Sequence, residues 1–343
     1  MRIALVNTIS PFIRGGAEIL VDDLKHQLQI RGHDVILYRI PFPESFGLPL
    51  VRLVEACGML RFDDFDRVIG FKFPAYCVEH RNRVVWMFHQ FRQVYELWGT
   101  QYGIQDELQY EPLRDFIINT DERLTESRNV FVNAQEVGNR LMQYNGISST
   151  VIMPPLENYE QYHCGITGDY IFYPSRVNSF KRQHLAVEAM CHVKTNVRLI
   201  IAGVCEDKGY NERLMNCIQQ NHLENRVTYY NRWISDEEKR SLMSNCLGSM
   251  YLAYKEDSCG FVSMEAFYSA KPVISCTDSG GTKELVEDAV TGYFCEPNPE
   301  SIATAMDQLF DNKEAAAQMG IAARRSILDK NINWDTTIRR LLA

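Results

Sequence analysis

Short runs rich in valine and isoleucine recur along this chain with amphipathic stretches between them, and that alternation restricts its fold more than any other feature. The runs fall at about residues 2–7, 34–38, 66–71, 83–88, 129–133 and 150–153, then at about 170–173, 197–203, 226–230, 248–253 and 272–276. They show little polar alternation, as expected of strands covered on both faces of a parallel sheet. Helix-period segments separate them, among them Ala17–Arg31, Gln135–Tyr144, Lys181–His192, Asp236–Cys246, Pro299–Phe310 and Lys313–Leu328. Strand and helix in alternation predict the α/β class with two doubly wound parallel-sheet units. A length of 343 residues suits two domains, at roughly 150 residues each. The expected division is 1–155, a linker at 156–168 and a second domain from 169, because Pro154-Pro155 and the polar, glycine-containing stretch to Gly168 follow a strand.

Composition removes several function classes. The formal charge is −8, the wrong sign for a dedicated nucleic-acid binder. None of the ten cysteines has Cys-x-x-Cys spacing, so they read as small apolar fillers in a reducing compartment rather than as metal ligands or disulfides. The apolar start stops at Asn7, too short for a signal-peptide core, and no run approaches the roughly 20 apolar residues of a spanning helix. A cytoplasmic protein is expected, with room for peripheral contact at the inner face of the cell membrane.

Ligands of paired doubly wound units gather at the carboxyl ends of the strands, and four stretches fall there. After the first strand, Gly15-Gly16-Ala17-Glu18 opens a helix, where backbone N–H groups can meet an anion; a plain turn would look the same. After the strand at 170–173 come Arg176 and, five positions on, Lys181. A planar guanidinium and a mobile ammonium suit a diphosphate, though two solvated loop cations would carry the same letters. After the strand near 248–253 comes Glu256-Asp257-Ser258-Cys259-Gly260-Phe261-Val262-Ser263-Met264-Glu265. Asp257 and Glu265 could bracket a ligand there, or simply favour a helix N-terminus. His89 ends the strand Val84–Phe88. No Gly-x-Gly-x-x-Gly occurs, which disfavours a nicotinamide or flavin dinucleotide. Asp64-Phe65-Asp66 precedes its strand rather than following it, and so reads as a solvated turn rather than a metal site.

Taken in order, Gly15-Gly16-Ala17-Glu18, Arg176-x4-Lys181, Asp257-x7-Glu265 and Ser279-Gly280-Gly281-Thr282-Lys283-Glu284 resemble the motifs of retaining glycosyltransferases of family 4. Ala270-Lys271-Pro272-Val273-Ile274 and Thr291-Gly292-Tyr293 add to the resemblance. It implies the GT-B architecture, two Rossmann-like domains facing a cleft, with the second at 169–328 and a terminal helix at 329–343 crossing back to the first. It further implies that Arg176 and Lys181 bind the donor diphosphate and stabilise its departure, and that Glu265 holds the ribose. Asp257 would face the donor sugar, with the backbone of Cys259, Gly260, Phe261 and Val262 nearby. Gly15 and Gly16 would meet the diphosphate from the first domain. Arg232, Trp233 and Ile234 would lie beside the nucleobase, and His89 near the reacting sugar. The family's first acid is a glutamate; here it is Asp257, with Glu256 in reserve.

The activity so implied is transfer, with retention, of a hexose from a UDP- or GDP-linked donor to a glycan or lipid-linked glycan acceptor, as in polysaccharide biosynthesis. No metal and no cofactor are expected; the nucleotide sugar is a substrate. The aromatic stretch Phe91–Trp98 is either an acceptor surface or core packing. A nucleotide-sugar epimerase on the same architecture and a non-catalytic nucleotide-sugar or glycan-binding partner are the competing functions. The residues leave open the nucleobase, the sugar, the linkage and the oligomeric state.

Overall fold

The computed structural model describes residues 1–11, 15–43 and 45–343. The chain forms two units, one of Met1–Pro155 with Ile332–Ala343 and one of Leu156–Asn331.

The first unit runs β1 (Arg2–Ile9), α1 (Gly16–Ile30), β2 (Asp34–Pro41), α2 (Leu48–Met59), β3 (Arg67–Gly70), β4 (Arg83–Met87), α3 (Glu107–Asp121), β5 (Asn129–Val132), α4 (Gln135–Asn145) and β6 (Thr150–Val151). Its sheet has the order β2-β1-β3-β4-β5-β6, parallel throughout. Ile3 to Val6 of β1 and the whole of β4 are buried, because helices cover both faces. One face carries two neighbouring clusters, since the register pairs Ala4 with Val68, Gly70 with Val85 and Met87 with Val132: Val85, Met87 and Val132 pack with Leu50, Ile117 and Leu141, and Ala4, Val6 and Val68 pack with Cys57, Phe62 and Phe65.

The second unit runs β7 (Tyr170–Pro174), α5 (Gln183–Ala189), β8 (Arg198–Ala202), α6 (Lys208–Gln220), β9 (Val227–Tyr230), α7 (Asp236–Asn245), β10 (Gly248–Met250), α8 (Phe261–Tyr268), β11 (Val273–Cys276), β12 (Gly292–Cys295), α9 (Pro299–Asp311) and α10 (Lys313–Asp329). The order β12-β11-β10-β7-β8-β9 reverses direction between β7 and β10, the switch point of a doubly wound sheet. Side-chain caps set the helix starts: Ser235 accepts from the Glu238 N–H before α7, and Asn298 from the Ser301 N–H before α9.

The helix expected from Lys181 begins at Gln183 instead, because Arg182 takes a left-handed conformation with φ of 56°. The expected strand to residue 253 stops at Met250, after which the chain turns into the site loop. Segment 156–168, expected as a linker, is held on the second unit. The Gly165 N–H donates to the Ser244 carbonyl (2.9 Å) and the Gly168 N–H to Asn245 (2.8 Å), while Tyr159 stacks on Tyr268 at 4.7 Å.

The last helix, α11 (Trp334–Leu342), belongs to the first unit. It buries Trp334, Ile338 and Leu341. The Arg67 guanidinium caps it at the Leu341 carbonyl (2.7 Å), and Arg340 donates to the Val151 carbonyl (3.0 Å).

Candidate functional site

In the second unit the expected donor residues gather on loops that leave the carboxyl ends of β7, β10 and β11, neighbours in the sheet. The loop after β7 lies tight against the end of β8. The Ser175 N–H donates to the Ala202 carbonyl (3.0 Å), and a Cβ on Gly203 would stand 1.8 Å from the Ser175 oxygen, so that position requires glycine. Arg176 is exposed, and among the described residues its guanidinium pairs with no carboxylate.

Lys181 is differently placed. Its backbone N–H is held by Asn178 Oδ1 (3.0 Å) and its ammonium donates to the Tyr251 hydroxyl (2.6 Å). The ammonium is also ion-paired with Glu256, to which the Tyr251 hydroxyl donates at 2.9 Å. Of the two adjacent acids, Glu256 is therefore the one joined to Lys181; Asp257 is buried on the same loop.

That loop turns into α8 at Gly260, whose φ of 72° and distance of 2.6 Å from a built Cβ to the Tyr251 ring both demand glycine. Cys259 is buried and Phe261 and Val262 are half-buried, and α8 starts at Phe261, so the first N–H groups of the helix lack intrahelical partners. The loop after β11 closes on the same place: the Gly281 N–H donates to the Glu256 carbonyl (3.0 Å).

Glu265, one turn into α8, is 4% exposed. Its carboxylate accepts from Lys239 of α7 at 2.6 Å and from the Tyr162 hydroxyl, which burial and this carboxylate hold protonated well above the usual range. Burial alone would lower the Lys239 ammonium, but Glu265 and Asp236 leave it raised. After β9, Arg232 forms a two-pronged pair with Glu238 (2.6 and 2.9 Å). Trp233 beside it is 62% exposed, a free indole face, whereas Ile234 is buried.

Arg182 escaped the sequence reading. Its guanidinium is buried and donates from Nε to the Leu252 carbonyl (2.6 Å), from both Nη atoms to Asp278 (2.8 and 2.6 Å), and to Ser279 Oγ (3.4 Å). Asp278 lies 96 residues away, and nothing local in the sequence marks the pair.

The first unit offers a separate set. Of the loop Thr8–Arg14, residues Phe12–Arg14 lie outside the described residues. Gly15 caps α1 and its N–H donates to Glu18 Oε2 (2.9 Å), while Lys72 donates to Glu18 Oε1 (2.5 Å). Burial would raise the Glu18 carboxyl, but Lys72 and the Gly15 N–H hold it below the ordinary value. The helix start that begins with Gly16 thus already carries an internal carboxylate.

His89 follows β4 and is half-buried. Its Nδ1 lies 2.7 Å from the Gln90 carbonyl; since a carbonyl only accepts, Nδ1 carries a proton. Behind it sits Asp121, fully buried. The Tyr76 and Tyr95 hydroxyls donate to it at 2.8 Å each and Gln90 Nε2 at 3.1 Å. Burial outweighs these donors and pushes the carboxyl up to about 6. Sequence reasoning passed over Asp121, which sits at the end of a helix and resembles a surface acid. Phe91 and Tyr95 are buried in the core, which settles the aromatic stretch as packing. Asp66 of the Asp-x-Asp triplet accepts from the Arg2 N–H (2.7 Å), at the amino ends of β1 and β3. Among the described residues no three His, Cys, Asp or Glu side chains are grouped to hold a metal ion, and no helix is long and apolar enough to cross a membrane.

Human alpha-1,3/1,6-mannosyltransferase ALG2 is 32% identical over 170 residues, 45% of this chain and 40% of that one. The O-antigen chain mannosyltransferase C of Escherichia coli is 25% identical over 251 residues, 67% of this chain and 64% of that one. The chain thus spans less than two thirds of the length of either relative. Anabaena Alr3699/HepE, solved in complex with UDP-glucose, superposes with a TM-score of 0.74 at 18% identity, over 100% of this chain and 98% of that one. At that identity the likeness shows the fold, two Rossmann-like units of the GT-B class. The family described as Glycosyl transferases group 1 matches residues 166–326, which lie within the second unit.

Proposed function

We propose that the protein is a retaining glycosyltransferase that moves a hexose from a nucleoside diphosphate sugar to a hydroxyl of a glycan or lipid-linked glycan, without a metal ion. The observation that carries the reading is the pair Arg176 and Lys181 at the carboxyl end of β7, on the switch point of the second sheet.

A nucleotide sugar is already activated, so the work is to stabilise the departing diphosphate. Arg176, exposed and without a carboxylate partner among the described residues, and Lys181 supply fixed positive charge where negative charge develops. The first N–H groups of α8, behind Gly260, add donors. Glu265, oriented by Lys239 and Tyr162, takes the ribose hydroxyls through its remaining lone pairs, with the exposed Trp233 beside the base. The acceptor attacks the anomeric carbon on the face the diphosphate leaves: the new glycosidic bond forms as the C–O bond to phosphate breaks, and the acceptor proton passes to the departing phosphate oxygen. Asp257, buried on the loop after β10, faces the sugar.

Mannose is the first sugar to try, since two relatives are mannosyltransferases by name. Their names also favour transfer over the epimerase and the non-catalytic partner. The test is a melting-temperature screen with UDP, GDP, ADP and dTDP and their sugars, followed by product analysis with the donor that binds. A ligand at a hundredfold over its Kd adds roughly 2.7 kcal/mol. Stabilisation by one nucleotide series, lost in Arg176→Ala, is the expected result, with an axial or equatorial anomeric bond matching the donor's in the product. Stabilisation by none overturns the donor site; a product of inverted configuration overturns retention.

A further inference from the structure

We infer that Arg182 is the positioning residue of the diphosphate site, locking the loop that carries Arg176 and Lys181 to the two loops facing it. The inference rests on reading Arg176 and Lys181 as the diphosphate ligands.

Three strands that are neighbours in the sheet, β7, β10 and β11, release three loops, and Arg182 bonds to all three. It belongs to the first, donates to the Leu252 carbonyl of the second (2.6 Å), and grips Asp278 of the third with both Nη atoms (2.8 and 2.6 Å). The backbone repeats the lacing: the Tyr254 N–H donates to the Phe180 carbonyl (2.9 Å), Lys255 to Asp278 (2.9 Å) and Gly281 to Glu256 (3.0 Å). Beneath them the Tyr173 hydroxyl accepts from the Leu252 N–H at 3.0 Å and donates to the Lys181 carbonyl. Lys181, next in the chain to Arg182, is thereby held at both ends of its peptide.

The backbone at Arg182 argues that the side chain has a purpose beyond the turn. Its φ of 56° is left-handed, a conformation glycine adopts without strain and arginine does not. The bonds that offset the strain need a planar fork of donors at fixed angles, which an ammonium lacks. Arg182 is buried and each of its three guanidinium nitrogens bonds to the protein, so it acts on a ligand only through Lys181 and the facing loops.

Arg182→Gly tests this, because glycine keeps the backbone conformation while the whole side chain, guanidinium included, is removed; Asp278→Asn removes its partner's charge. Binding of UDP, GDP, uridine and guanosine to the full chain is measured by calorimetry, with circular dichroism to confirm the fold. The diphosphate that binds wild type should be bound about tenfold more weakly by either variant, while its nucleoside changes by less than about twofold. Arg182→Lys should not rescue, and Lys181→Ala should cost little more in the Arg182→Gly background. Should Arg182→Gly fail to fold, Asp278→Asn carries the same expectation. Diphosphate affinity retained by the folded variants overturns the inference, as does a nucleoside loss in step with the diphosphate or a multiplying effect of Lys181→Ala. Wild-type protein that binds neither diphosphate, or a Lys181→Ala variant that binds as wild type, overturns the donor-site reading beneath it.

Discussion

The Lys181 ammonium is ion-paired with Glu256 and hydrogen-bonded to the Tyr251 hydroxyl that bridges them. Both ion-pair side chains are less than a fifth exposed, so the pair is shielded from salt and a diphosphate arriving at Lys181 must compete with a carboxylate.

Glu256→Gln should therefore tighten nucleoside diphosphate binding by about three- to tenfold, since the amide keeps the shape and removes the competing charge. Calorimetric titration against wild type checks it. Unchanged or weaker binding would mean that the ligand and Glu256 use Lys181 together.

Lys239→Met should destabilise the second unit by about 3 to 5 kcal/mol, because it strands the buried Glu265 carboxylate without its cation. Adding Glu265→Gln should recover much of that loss, as both charges are then gone. Urea unfolding of the two single variants and the double variant measures it; additive losses would contradict a coupled pair.

Gly280→Ala should cost about 2 kcal/mol or more through backbone strain and contact. Its φ is 58° and a Cβ would stand 2.3 Å from the Glu256 carbonyl oxygen. Because the displaced loop leads into the first N–H groups of α8, diphosphate binding should fall with stability. A variant that melts and binds like wild type refutes the packing argument.

Asp121 makes a pH-dependent prediction. Its folded carboxyl titrates at about 6 against an ordinary 3.8, so the folded state holds the proton more tightly. Relative to Asp121→Asn, wild type should be most favoured below pH 4 and lose about 3 kcal/mol of that advantage as pH rises through 6. Unfolding curves of both proteins from pH 3.5 to 7.5 test the sign; parallel curves would place the carboxyl at its ordinary value.

The strands were legible because buried parallel strands leave Val and Ile runs, and the site was legible where motif residues sit on strand-to-helix turns. β12 was not: Gly292-Tyr293-Phe294-Cys295 is four residues with no β-branched side chain, and its strand character comes from pairing with β11. The start of α5 was misjudged by two residues because a left-handed arginine looks like any helix former in sequence. What Arg182, Lys239 and Asp121 do was hidden for one shared reason. Their partners, Asp278, Glu265 and the tyrosines at 76 and 95, lie 26 to 96 residues away, and burial, which gives those contacts their worth, is a property of the fold.

Because α11 completes the first unit while 156–331 forms the second, the order of synthesis and the order of completion are inverted. A ribosome delivers everything the second unit needs before it delivers Trp334, Ile338 and Leu341, so the domain begun first must wait, its Arg67 without the Leu341 carbonyl, until 332–343 has been made. A stop codon after Asn331 would damage the beginning of this protein rather than its middle.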